Sequence, residues 1–198
     1  MTDLFQQPED ATPLNPGERE GLLQSWITSR SDLNEAEQDN IVNGAAWARR
    51  RRRQSAIDVL SDDFAKALHK QMFGEVWKWA GTYRQTERNL GIEAYRISAE
   101  TPAMFADVRY WVDNKTYSPD EIAVRLHHRL VAIHPFPNGN GRHARLMADL
   151  LIERLGGQPF SWGGDSLVDI GTLRAQYVAA LQAADGHDLG PLITFARS

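Results

Sequence analysis

The stretch from His134 to Arg145, His-Pro-Phe-Pro-Asn-Gly-Asn-Gly-Arg-His-Ala-Arg, gathers residue types that handle a polyphosphate. Gly139 and Gly141 allow backbone N–H groups to turn inward as a nest. The helix expected to begin near Gly141 points its positive dipole end at the same place. Arg142 and Arg145 are three residues apart, so they share a face in its first turn, and Asn140 adds an amide. His134 stands across the turn, within reach of whatever binds there. Attack on a phosphate needs charge neutralisation, a nucleophile and a base, and this set of residues supplies the first and the last. It is not a P-loop, because no G-x-x-x-x-G-K-[ST] occurs in the chain. One tension is built in. A helix C-terminus favours a protonated His134, a poor base, whereas nearby arginines oppose that charge.

The elements that must hold this stretch are helical. Leu33, Glu37, Ile41 and Ala45 keep i, i+4 spacing and predict a helix from Leu33 to Arg49. Ser61 is an N-cap for a helix over Asp62–Ala80, with Gly81 as its stop; on such a helix Trp77 and Trp79 could not both face inward. Thr82–Ile97 lacks the helical period and reads as a loop or a short hairpin. Thr101–Asn114 is a helix. Ser118-Pro-Asp-Glu121 forms a capping box for the next one, which carries Ile122, Leu126, Leu130 and Ile133 inward and ends at His134 before Pro135. A helix follows to Gly156-Gly157, then Leu173–Ala184 and a short one over Pro191–Ala196. The fold class expected is all-α with one small β element. Residues 1–20, with Pro8, Pro13 and Pro16, read as a flexible tail, 21–60 as an N-terminal helical region and 61–198 as the main domain.

Composition narrows the function. The chain has 198 residues and no cysteine, which excludes thiol catalysis and cysteine metal sites and fits a reducing, cytoplasmic setting. No apolar run is long enough to span a membrane, and the first ten residues lack a secretory pattern. Twenty-two Lys and Arg against 26 Asp and Glu leave a net charge of −4, a composition that disfavours nucleic acid as partner. Yet Ile122–Ala148 contains no Asp or Glu. It holds Arg125, Arg129, Arg142, Arg145 and four of the six histidines, His127, His128, His134 and His143. A local basic pocket in an acidic chain points to a bound anion. His127 and His128 read as packing or surface groups. The run Arg49–Arg53 covers every side of a helix and reads as a solvated helix end.

The stretch 134–145 resembles the signature of the Fic family, His-x-Phe-x-(Asp/Glu)-Gly-Asn-Gly-Arg-x-x-Arg, at His134, Phe136, Gly139, Asn140, Gly141, Arg142 and Arg145. Trp77-Lys-Trp-Ala-Gly81 and Tyr177-x-x-Ala-Leu181 resemble the family as well, so the likeness covers roughly residues 60–196. Ser31–Ile41 resembles the subgroup called mobile mystery protein B. The resemblance implies an all-α, Fic-type helical bundle with a small β-hairpin flap. It implies transfer of AMP from ATP to a Ser, Thr or Tyr hydroxyl of a target protein, with Mg²⁺. His134 would be the general base and Phe136 a core anchor. Gly139, Asn140 and Gly141 would hold the α- and β-phosphates, Arg142 the β-phosphate and Arg145 the γ-phosphate. Tyr177 would lie near the adenine. The target would dock on the flap at Asn89, Leu90, Gly91 and Ile92 as an added strand.

One departure bears on the metal: Asn138 stands where the family has a carboxylate that holds Mg²⁺. An amide oxygen can ligate a hard cation, but without the charge. That departure keeps a second reading open, a catalytically weak nucleotide-binding module, regulatory or toxin–antitoxin in kind, with a helix-turn-helix or antitoxin-like partner. Transfer of another phosphate-linked group, or removal of AMP, is also open. The family's inhibitory helix, Ser/Thr-x-x-x-Glu-Gly/Asn, is matched only in part by Ser31-x-x-x-Glu35. Glu37 lies on the apolar stripe and is the inhibitory candidate preferred over Glu35, with Arg145 the expected partner.

Overall fold

The computed structural model describes residues 15–50, 55–164 and 169–198. Among them are nine α-helices and no strand; the sole β pairing is an isolated antiparallel bridge between Leu22 and Trp77. The helices are α1 (Pro16–Arg19), α2 (Arg30–Arg50), α3 (Ala56–Val59), α4 (Asp62–Phe73), α5 (Ile97–Asn114), α6 (Pro119–Ile133), α7 (Asn140–Arg154), α8 (Ile170–Asp185) and α9 (Gly190–Arg197). No helix among the described residues is long and apolar enough to cross a membrane. Residues 1–14 of the expected tail, and Arg51 to Arg53 of the arginine run, lie outside the described residues. Residues 15–19 form a capped turn, with Asn15 and Glu18 bonding reciprocally.

Helices α6 and α7 form a hairpin at the centre of the bundle. Leu126, Leu130, Met147, Leu150 and Leu151 are buried between it and its neighbours. Helix α5 covers α6 through Met104, Phe105 and Val108. Helix α2 lies along α4, and α8 with α9 closes the far side. The 134–139 turn of the central hairpin is therefore held by α4 from one direction and by the 82–97 segment from another.

Three local expectations change on folding. The helix begun by Ser61 stops at Phe73, not at Ala80. Beyond Gly74 the chain gains other partners: Leu23 N–H donates to the Val76 carbonyl at 2.9 Å, and Lys78 N–H donates to the Gly21 carbonyl at 2.8 Å. Freed from helical geometry, the Trp77 and Trp79 rings stack at 5.0 Å instead of diverging. Ser118 caps α6 by accepting from Glu121 N–H, but the Glu121 carboxylate turns to Arg125 at 2.7 Å rather than back to the cap. The 82–97 segment makes no strand pair; it is a series of turns ending in a 3₁₀ turn over Ala94–Arg96. Its polar backbone is satisfied by the buried Arg84 side chain, as described below.

Candidate active site

His134 ends α6 in a left-handed conformation, φ 54° and ψ 60°, with its N–H donating to the Leu130 carbonyl at 3.0 Å. Pro135 keeps His134 out of the right-handed helical region and so ends the helix here. The imidazole is pushed down to about 4, first by burial and then by the positive charge of Arg84, with Arg88 adding to it; contact with the Val131 backbone opposes the shift. The tension between helix end and arginines is resolved in favour of the neutral ring. The arginines responsible are those of the 82–97 segment.

Gly139 turns the chain into α7 at φ +76°. A Cβ there would lie 2.6 Å from Cζ of Phe73, so both conformation and space call for glycine. No side chain caps α7. The first N–H groups of this helix therefore remain available at the mouth of the turn. Asn140 is buried, and both ends of its amide are engaged: Oδ1 accepts from Phe136 N–H at 2.9 Å and Nδ2 donates to the Phe136 carbonyl at 2.8 Å. Asn140 thus braces the turn with its side chain. Phe136 is buried and stacks on His69 at 3.8 Å.

His69 was invisible as a site residue in the sequence, where it sat beside Leu68 on the buried face of α4. Its Nδ1 accepts from Gly81 N–H and its Nε2 donates to the Asn138 carbonyl, both at 3.0 Å, which fixes the tautomer. Burial, before any charge, holds its pKa well below the ordinary value, so the ring stays a neutral clamp.

The basic pocket suggested by composition shrinks to two residues. Arg125 pairs with Glu121 at 2.7 Å, Arg129 with Asp107 at 2.5 Å and His128 with Asp185 at 2.8 Å. His143 is buried and donates from Nε2 to the Ala65 carbonyl at 3.0 Å. His127 is buried against Trp162, and burial brings it to about 3. What faces the turn is Arg142 and Arg145. The Arg145 guanidinium lies 5.5 Å from the centre of the Tyr177 ring, and Tyr177 Oη meets His127 Nε2 at 3.0 Å. Tyr177 also borders the turn, its Oη 3.8 Å from where a Cβ on Gly141 would be.

Glu37 is 4% exposed. It accepts from Trp77 Nε1 and from Arg142 Nη1, each at 2.7 Å. Glu35, two positions before Glu37 and off the buried stripe, is exposed. The expected partner of Glu37, Arg145, is replaced by Arg142, because Arg145 is drawn under Tyr177 while Arg142 spreads over Phe73, 4.9 Å from its ring centre, towards α2.

The 82–97 segment packs directly on His134. Arg84 N–H donates to the Pro135 carbonyl at 2.9 Å, and Ile92 N–H donates to the Ile133 carbonyl at 3.4 Å. Asn89, Leu90 and Gly91 are exposed at its tip. The residues present do not make a protein-held magnesium site. Asn138 Oδ1 is engaged by Gly139 N–H at 2.5 Å, and no group of three or more His, Asp or Glu side chains converges among the described residues. A lone amide oxygen already accepting a hydrogen bond is a poor ligand for a hard dication.

A helical bundle that sets a histidine-ended helix against a Gly-Asn-Gly turn and an uncapped helix carrying two arginines has known counterparts. Residues 59–152 match the model of the Fic/DOC family and form a Fic/DOC domain within the chain. It is similar to the protein adenylyltransferase fic-1 of Caenorhabditis elegans, 31% identical over 146 residues, which is 70% of this chain and 27% of that protein. The protein adenylyltransferase Fic of Drosophila melanogaster is 27% identical over 143 residues. This chain thus spans about a quarter of the length of these curated relatives, the Drosophila match again covering 27% of that protein. Among solved structures, C. elegans Fic-1 superposes with a TM-score of 0.61 at 28% identity, covering 90% of this chain and 56% of that one. BepC from Bartonella tribocorum, solved with bound AMPPNP, superposes with a TM-score of 0.66 at 17% identity, covering 92% and 97%, a likeness of fold. These matches carry the family and not the mobile mystery protein B subgroup.

Proposed function

We propose that the chain is a protein adenylyltransferase that moves AMP from ATP to a Ser, Thr or Tyr hydroxyl of a target protein. The observation that carries this reading is the placement of His134, at the end of α6 and tied to the flap through Arg84, across the Gly139 turn from the uncapped start of α7. His134 takes the proton of the target hydroxyl, the oxygen attacks the α-phosphorus, and the bond to the β-phosphate breaks, releasing pyrophosphate. The backbone N–H groups of Asn140 and Gly141, reached through the Gly139 turn, hold the phosphates. Arg142 takes the β-phosphate and Arg145 the γ-phosphate. Tyr177, next to Arg145, borders the adenine. The target lies along Asn89–Ile92 as an extended segment. Mg²⁺ enters as the counter-ion of the ATP phosphates, with Asn138 serving the turn and not the metal. We place the protein in the cytoplasm, where ATP is at hand and a chain without cysteines needs no oxidising partner.

Glu37 favours a resting state within this reading. A carboxylate on α2 already occupies the Arg142 guanidinium, so α2 acts as an inhibitory element that must yield before the β-phosphate is held. The test of the activity is transfer of label from α-³²P-ATP to protein. His134→Ala should lower it ~10²–10⁴-fold while ATP binding stays near wild type. Equal transfer by the variant would remove His134 from the role of base.

A further inference from the structure

The Arg84 side chain is completely buried, and its nearest carboxylate, on Glu87, is 3.9 Å away and two-thirds exposed. Its hydrogen bonds go instead to backbone carbonyls drawn from two separate segments. Nε donates to His134 at 2.7 Å, Nη1 to Thr86 at 2.9 Å, and Nη2 to Ile92 and, at 3.5 Å, to Ile133. A buried guanidinium is costly unless its donors are used. Here the fork is spent on tying the two ends of the flap to the residue that would act as base. A lysine, with a single ammonium, could not span these acceptors. The flap backbone also comes as close to His134 as it can. At Gly91, φ +95°, a Cβ would lie 2.5 Å from His134 Cβ and 2.9 Å from Arg84 Nη2.

We propose that Arg84 is a positioning residue that clips the target-docking flap and the His134 backbone into one rigid frame, so that a docked hydroxyl and the imidazole keep a fixed relation. The proposal rests on the reading of His134 as base and of 89–92 as the docking edge. The clip has a physical consequence for catalysis. A misplacement of about 1 Å between reacting groups costs ~10²-fold in rate, while binding of a nucleotide elsewhere is untouched. The charges acting on the His134 ring are Arg84 itself and Arg88, and Glu87 and Glu18 face Arg84 in turn. Removing Arg84 therefore also lets the ring rise from about 4 towards its ordinary value.

The test compares Arg84→Gln, Arg84→Lys and Gly91→Ala in the full chain. Three quantities are read: ATP affinity by calorimetry, kcat for AMP transfer, and amide hydrogen exchange at Ile92. The NMR titration of His134 is followed as well. Both arginine variants should bind ATP like the wild type and exchange faster at Ile92. They should lose transfer ~10²-fold, with no rescue by lysine. The His134 titration should rise in Arg84→Gln. Should the arginine variants not fold, Gly91→Ala keeps the Arg84 side chain but forces the flap backbone away from His134 and Arg84, and the same loss of kcat at unchanged ATP affinity is expected. Wild-type transfer in a folded arginine variant or in Gly91→Ala overturns the proposal. So does loss of ATP binding in step with transfer, the mark of a merely structural role. If His134→Ala transfers normally, the assignment of the base fails instead, and exchange at Ile92 still decides whether Arg84 clips the flap.

Discussion

Removing the Glu37 carboxylate should weaken the fold and strengthen nucleotide binding at the same time. In Glu37→Gly, Trp77 Nε1–H loses its acceptor inside a core where the residue is 1% exposed. An orphaned buried donor costs ~1–3 kcal/mol. The lost bridge to Arg142 adds about 1 kcal/mol, since the arginine side chain is 35% exposed and water screens it. Glycine inside α2 costs about 1 kcal/mol more. The urea midpoint should therefore fall by an amount equivalent to ~3–5 kcal/mol. The freed guanidinium can instead hold a phosphate, and a hydrogen bond to a charged group contributes ~1.5–3 kcal/mol, so ATP affinity should rise ~10–100-fold. Glu37→Gln separates the two effects. Its amide oxygen still accepts from Trp77, so stability should fall less, while the loss of charge still releases Arg142. Glu35→Gln, on the exposed face, is the control and should leave both quantities alone. Calorimetric titration with ATP beside urea denaturation gives both numbers. A large loss of stability with unchanged ATP affinity in both Glu37 variants would refute the inhibitory role and leave a structural ion pair.

Acid should destabilise the protein below pH 6.5. His127, His134 and His143 sit at about 3, 4 and 4 in the fold, so the unfolded chain takes up protons that the folded chain refuses. Stability is complete above 6.5 and falls as the pH drops towards 4, by about 2 kcal/mol per histidine at pH 5. Asp149, raised to about 6 mainly by burial, protonates in the fold and returns about 1 kcal/mol at that pH. Urea midpoints at pH 7.5 and 5.0 check the sign, and equal midpoints would reject buried neutral imidazoles. Gly139→Ala, which forces a Cβ against Phe73 at positive φ, should cost ~2–4 kcal/mol and abolish ATP binding, read by thermal melting and calorimetry. Asn138→Asp can still accept from Gly139 N–H and adds a hard anionic ligand beside the phosphates. The Mg²⁺ concentration for half-maximal ATP binding should fall, and an unchanged value would show that even a carboxylate at 138 stays out of reach of the phosphate-bound metal.

The central hairpin could be read from sequence because its signals are local. Ser118 with Pro119, the stripe of Ile122 to Ile133, and the stop imposed by Pro135 each act within a few residues. The turn could be read because glycines at 139 and 141 flank an asparagine next to two arginines. The flap and the end of α4 could not. Whether Gly74 or Gly81 ends the helix depends on Gly21 and Leu23, more than fifty residues away, supplying backbone partners. The burial of Arg84 depends on carbonyls from 86 and 92 and from 133 and 134, which no spacing rule links. The basic pocket was overcounted for the same reason. Composition sees that Asp and Glu are missing from 122–148, but not that Asp107 and Asp185 arrive from neighbouring helices, while Glu121, one residue outside that stretch, pairs with Arg125 by i, i+4 spacing on α6 itself. Glu37 could be placed on the buried face of α2 from its period. Its partner could not, because the choice between Arg142 and Arg145 is set by Phe73 and Tyr177.

The N-terminal region matters to the site although the family match begins at residue 59. Two carboxylates from this region hold two arginines at the site. Glu37 on α2 holds Arg142 at the start of α7, and Glu18 on α1 holds Arg88 of the flap. The second contact is reinforced: the Glu18 carbonyl accepts from Trp79 Nε1 at 3.0 Å, and Asn15 Nδ2 donates to Thr86 Oγ1 at 3.2 Å. The two pairs have different physical meanings. Arg142 keeps a third of its side-chain surface open to solvent, so its bridge is screened and a phosphate can compete for it. Arg88 and Glu18 are both largely buried, 6% and 12% exposed, so their bridge is not in competition with a soluble anion. Breaking it would leave a charge stranded in the interior, which is strongly destabilising. A single N-terminal region thus makes one contact suited to release and one suited to permanence. Within the proposed reading, release of the Glu37 carboxylate from Arg142 would open the phosphate site while α1 keeps the flap, and with it Arg84 and His134, in place.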